Sequence, residues 1–170
     1  TVDMNGWQFR AFLSNASVIA ISDAASLLVD RRPVTITADT LSKTYGNNDP
    51  FLSYQLTSGV LVDGDVFYGN LNRASGENVG TYIINQDSLS LNANYILNFT
   101  TGNLSIVPRP ITITADPQTI IYGDDEPVFT WHVTTGSLAF NDAVTGSLSR
   151  DTGNSVGNYG IYQGNLYVNS

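Results

Sequence analysis

The sequence predicts a mainly β protein with some α+β character. Small tandem repeats are expected, each a mostly antiparallel sheet with one short helix or 3₁₀ turn; repeated Ig-like β-sandwiches are the alternative fold. Three observations lead there. Residues 32–93 recur at 109–170, shifted by about 77 positions without a gap, with roughly 25 of 62 paired positions identical. Each copy opens on a β-branched, alternating run, Val34-Thr-Ile-Thr-Ala38 and Ile111-Thr-Ile-Thr-Ala115, preceded by proline. Glycine-rich punctuation then recurs at fixed offsets.

The division read from this is three parts: 1–31, the end of a preceding repeat or an N-terminal strand segment; 32–108, a full repeat; and 109–170, a second repeat that stops early. In the first part a strand is expected around Trp7–Leu13, bringing Trp7, Phe9 and Phe12 toward burial. Residues 17–31 read either as a hairpin turning at Asp23–Ser26 or as a short helix capped by Ser22. Within the repeat, strands are expected at 52–57 and 129–134, 68–72 and 145–149, and 81–85 and 158–162, with 89–91 and 166–168 extending or returning the last. Between Gly59 and Tyr68, and again at 136–142, the alternation stops, and a helical turn carrying Leu61 and Val62, or Leu138 and Phe140, is expected there. Asn94–Pro108 reads as a hairpin turning at Thr101-Gly102-Asn103. The second copy has no counterpart of it, which predicts a sheet with an open edge.

Composition narrows the function. The chain has 170 residues, 42% of them hydrophobic, 13% charged, with a net charge of −8. That acidity opposes nucleic acid and anionic membranes. With no cysteine there is no disulfide or thiol chemistry. No apolar run approaches the ~20 residues of a spanning helix, so membrane insertion is not expected. Thr1 is not an initiator methionine, and the chain is expected to be a piece of something longer.

The residues held between copies are mostly glycine, proline, leucine and aromatic. Tyr45-Gly46 pairs with Tyr122-Gly123 and Pro50 with Pro127. Arg73, Gly80 and Tyr82 pair with Arg150, Gly157 and Tyr159. These are assigned to turns and packing, with Gly46 in a positive-φ turn and Tyr54, opposite Trp131, in a core slot. Arg73 and Arg150 are read as structural, either pairing with the retained Asp65 and Asp142 or capping strand-end carbonyls, with ligand binding as the functional alternative, and Asp39 and Asp116 are expected to close Asx turns.

Chemistry finds few footholds. Asp124, Asp125 and Glu126 offer oxygen ligands for a cation but lack a calcium-loop pattern and are not repeated. His132 is the only histidine and pairs with Gln55, so no duplicated Ser-His-Asp set exists. Lys43, the only lysine, permits at most one Lys–Asn amide crosslink. No enzyme activity, cofactor or metal is expected. Exposed aromatics Tyr68, Tyr162 and Tyr167 are the candidates for binding sugars, though Tyr68 pairs with Thr145 and Tyr162 with Asn85, so no platform is repeated.

The order Tyr-Gly-x-x-x-Pro, an aromatic strand, Gly-x-Leu-x-Arg, Gly-x-x-Val-Gly-x-Tyr, Asn-Tyr and a Leu-x-Ile strand resembles the MBG repeat domain of the Tyr-Gly-x type, over residues 32–108 and part of 109–170. The resemblance implies a non-catalytic tandem module of an extracellular or surface-exposed bacterial adhesin of the filamentous-haemagglutinin type. Its partners would be neighbouring repeats of the same chain. Two uses follow as expectations: a stalk or spacer, or a module that binds host glycans or glycoproteins.

Overall fold

The computed structural model describes residues 7–169. All regular structure among them is strand. The first four strands, β1 (Gln8–Phe9), β2 (Phe12–Ser14), β3 (Ile19–Ile21) and β4 (Ala25–Ser26), make one nested antiparallel ladder, β2 against β3 and β1 against β4. Its turn is built by Asn15, whose side-chain oxygen accepts from the Ser17 and Val18 amides at 2.9 and 2.8 Å. That Asx turn sets the reversal at Asn15–Val18. The expected hairpin turning at Asp23–Ser26, and its helical alternative, are therefore both corrected, because Ala25–Ser26 is itself a strand. Trp7, Phe9 and Phe12 remain exposed.

The first copy contains β5 (Arg32–Ala38), β6 (Leu41–Thr44), β7 (Tyr54–Ser58), β8 (Asn72–Arg73), β9 (Gly80–Asn85), β10 (Tyr95–Thr100) and β11 (Gly102–Val107). Three of them form a sheet in the order β10-β5-β7, with β10 parallel and β7 antiparallel to β5. The other four form a sheet in the order β6-β11-β9-β8. Two segments thus pass from one sheet to the other at a corner: β5 to β6 at Asp39-Thr40, and β10 to β11 at Thr101-Gly102. The corners touch, since a Cβ on Gly102 would sit 2.6 Å from the Ala38 carbonyl oxygen. Only glycine allows that approach.

This corrects the reading of Asn94–Pro108 as a hairpin. Both strands exist, but they pair with different sheets. The core explains why. Val34, Ile36 and Ala38 of β5 and Leu104 and Ile106 of β11 are buried. Ala38 packs with Ile84 and Leu104, surrounded by Leu41, Leu52, Leu71, Tyr82 and Phe99. Each of the buried valine, leucine and isoleucine side chains contributes about 1.5–3 kcal/mol.

The second copy contains β12 (Thr112–Ala115), β13 (Trp131–Thr135), β14 (Ala143–Thr145), β15 (Ser149–Arg150), β16 (Ile161–Tyr162) and β17 (Tyr167–Asn169). They pair antiparallel as β12 with β13, β14 with β17 and β15 with β16. The expected short helix is absent from the described residues of both copies. One reverse turn stands in its place, closed by the Asp65 amide to the Val62 carbonyl in copy one and the Asp142 amide to the Ala139 carbonyl in copy two, both at 3.0 Å. Each turn holds one inner residue in the left-handed region, Gly64 at φ 86° and Phe140 at φ 49°, which a right-handed helical turn does not accommodate.

The chain folds as two compact units. One takes the chain up to Leu41, then Phe51–Ser75 and Tyr82–Leu104. The other takes Ser42–Pro50, Gly76–Thr81 and Ser105 onward.

Candidate functional site

The second unit contains a cluster that unites three stretches distant in sequence: the Tyr45-Gly46-Asn47 turn of the first copy, Arg109 of the linker, and 137–142 of the second copy. The β6 strand delivers the turn. The Tyr45 amide bonds to the Val107 carbonyl at 2.9 Å, which brings the turn beside the linker. Arg109 then spans it. Its Nε donates to the Tyr45 carbonyl at 2.7 Å, one terminal nitrogen to Asn47 Oδ1 at 2.6 Å, and the other to Ser137 Oγ at 3.5 Å. A planar guanidinium with donors fixed in a fork is suited to locking three groups at once.

Tyr45 reaches into the second copy. Its ring meets Phe140 edge to face, with centroids 5.2 Å apart. Its hydroxyl donates to Asp142 Oδ1 at 3.1 Å. Burial first, and then the Asp142 carboxylate, hold the phenol above its usual pKa. Gly46 supplies the positive φ that the sequence predicted, at 82°, and something it did not show. A Cβ there would overlap the Ala139 methyl, so the glycine also lets the two copies close on one another. Phe140 is held in the left-handed region, a strained setting for an aromatic residue that here aims its ring at Tyr45.

The equivalent turn of the second copy is bare. Tyr122 is 74% exposed, and a Cβ on Gly123 would meet nothing within 4 Å, although the glycine keeps a φ of 93°. The same Tyr-Gly backbone is thus built in both copies, and only in the first is it occupied. Pro50 and Pro127 follow these turns.

Other retained residues serve each copy internally. The Arg73 guanidinium lies over the Tyr82 ring and that of Arg150 over Tyr159, at 5.3 and 5.2 Å from the centroids. Arg150 also pairs with Glu126 and donates to the Asp151 and Gly153 carbonyls. Gly80 opens β9, and Gly157 leads into Tyr159. The expected arginine–aspartate pairs are corrected. Asp65 accepts from Tyr95 Oη at 2.6 Å and Asn92 Nδ2 at 2.7 Å, and Asp142 accepts from Tyr45. Nor do the strand-ending aspartates close Asx turns. Asp39 accepts from Ser53 and Gln55, and Asp116 meets His132 at 2.6 Å, all on the neighbouring strand or just before it. Bonds from Thr130 and then His132 hold Asp116 below the usual carboxylate range.

Of the candidate cation ligands, Asp124 closes a backbone turn and Glu126 is held by Arg150. Among the described residues no three histidine, aspartate or glutamate side chains stand where they could share a metal ion. Lys43 is almost fully buried, with its ammonium 2.6 Å from Asp49 and 2.5 Å from Glu77. Burial alone would lower its pKa, but the two carboxylates more than offset that and keep it raised. The charged ammonium is the opposite of the neutral amine that an amide crosslink requires. Tyr68, Tyr162 and Tyr167 are all exposed; Tyr162 donates to Asp151, and Tyr162 and Tyr167 line one cleft of the second copy.

The fold and this cluster define a tandem-repeat β module whose copies are fastened through a Tyr-Gly turn. The family model for the MBG domain (YGX type) matches residues 34–105 and 111–169, and the chain belongs to that family. No curated protein and no solved structure matches the chain.

Proposed function

We propose that this chain is a non-catalytic spacer of a secreted or surface-exposed bacterial adhesin, in which successive repeats are locked to one another by the Tyr-Gly turn. The observation that supports it most is the joint itself. A turn retained in both copies uses its side chain, its carbonyl and its missing Cβ on the neighbouring copy and the linker. A residue pair kept for local folding alone would be buried in both copies, and Tyr122 is not. The acidic, lysine-poor surface suits an exported protein that must stay soluble without adhering to nucleic acid.

A spacer must keep its joint closed under load. Arg109→Ala removes three bonds at the joint and should cost about 1–3 kcal/mol. Urea unfolding of that variant measures the cost. Stability within about 0.3 kcal/mol of the parent, below the usual effect of such a loss, would remove the physical basis of the reading.

A further inference from the structure

Lys43 faces inward from β6, with its side chain 4% exposed. An ammonium is costly to bury unless it is paired, and a well-packed apolar residue often serves the same position as well or better. The second copy has isoleucine, Ile120, at the matching position. It also builds the same Tyr-Gly turn backbone, with Gly123 at a φ of 93°. A lysine is thus not what shapes the turn. What it adds is a pair of attachments.

Its ammonium stands 2.6 Å from Asp49 Oδ1 and 2.5 Å from Glu77 Oε2. Asp49 lies 6 residues on, past the Tyr45-Gly46-Asn47 turn, so this ion pair ties the leg that leaves the turn to the strand that enters it. Glu77 lies 34 residues on, in the segment Gly76–Thr81 of the same compact unit, and its pair fixes the base of the turn to that segment. The turn closes above this base, with the Asn47 amide donating to the Thr44 carbonyl at 3.0 Å. Packing does not provide the attachment. A cleft of about 360 Å³ lies against the turn, and its lining of Lys43, Thr44, Asn47, Asn48, Pro50 and Val107 is mostly polar. Arg109 holds only the apex, through the Tyr45 carbonyl and Asn47 Oδ1. An apex on a swinging base could not offer that fork two acceptors at a fixed separation, or deliver the Tyr45 hydroxyl to Asp142.

We infer that Lys43 is a positioning residue for the joint: its ion pairs with Asp49 and Glu77 clamp the base of the Tyr45-Gly46-Asn47 turn where Arg109 and Asp142 engage the apex. The inference deepens the spacer reading and rests on the joint described there. It gives the only lysine of the chain a role that neither core packing nor turn formation requires.

The test is Lys43→Met in the full chain, read at two places. The Asn47 amide should exchange at least about tenfold faster while the amides of β5 keep their rates. The Tyr45 phenol, followed by tyrosine ring NMR and assigned through Tyr45→Phe, should fall from its raised pKa toward 10.0. Removing a cation by itself raises a phenol's pKa, so a fall reports that the turn has left Asp142 and its buried setting. Asp49→Asn keeps the Glu77 pair; it should move both readings the same way by a smaller amount, and it carries the test if Lys43→Met does not fold. Arg109→Ala, measured alongside, separates the clamp from the joint. If Arg109→Ala lowers the Tyr45 pKa and neither clamp variant does, the joint stands and the clamp is refuted. If no variant lowers it, both fall. Equal acceleration at Asn47 and in β5 would also overturn the inference, because the lysine would then stabilise only the fold as a whole.

Discussion

Arg109 and Gly46 do different work in one joint. Arg109 supplies donors, whereas Gly46 supplies the absence of a side chain. Gly46→Val places two methyl groups where Ala139 stands and forces a β-branched residue to positive φ, so a loss of about 1–3 kcal/mol is expected by chemical denaturation. Tyr45 gives the joint a pH response. Its folded pKa is raised above 10.0 by burial and by Asp142. The neutral phenol is the form that donates, so its contribution is fully present below pH 10 and is lost as pH rises through the folded value. A loosening of the joint above pH 10 that is absent in Tyr45→Phe would show this, and an identical alkaline response in the two proteins would refute it. At the acid end, Asp116 is depressed, so its contribution holds above the ordinary value of 3.8 and fades as pH falls toward the lower folded one.

At the scale of elements, the alternating runs were the legible part. Val34–Ala38 and Ile111–Ala115 announce themselves because every second residue is apolar; those of the first run are buried and those of the second half-buried. β6 was missed. In Leu41-Ser-Lys-Thr44 the inward-facing polar residue is a lysine, buried only because Asp49 and Glu77 neutralise it, and periodicity reads it as solvent-facing. The turn of Asn94–Pro108 was misjudged for another reason. A glycine between two alternating runs signals reversal and sheet crossing alike, and what separates them is the approach of Gly102 to the Ala38 carbonyl, a contact from over sixty residues away. The helical turn failed locally, through φ values that sequence does not display. Gly102→Val should therefore cost about 1–3 kcal/mol through overpacking at the crossed corners. Ile36→Ala should cost about 2–5 kcal/mol by opening a cavity in β5. Denaturation curves for the pair check both, and a neutral Gly102→Val would argue against the corner geometry.

For the whole molecule, the repeat was visible at once, and the family with it, because 77-residue self-similarity needs no structure to detect. The joint was only half visible. Tyr45-Gly46 stood out as retained, but two retained residues look the same whether they pack within their own copy or against the next. Exposure decides it: Tyr122, in the same turn, lies open. The central claim is that the Tyr45-Gly46 turn fixes one copy to the other. Its most direct test exploits the absence of native cysteine. Spin labels at Asn48→Cys and Asn154→Cys, one exposed position in each copy and both within the second unit, report the distance distribution between the copies across the joint. A single narrow distribution that broadens in both Gly46→Val and Arg109→Ala is the predicted result; a broad distribution in the parent chain, or one unchanged by both substitutions, would contradict the account.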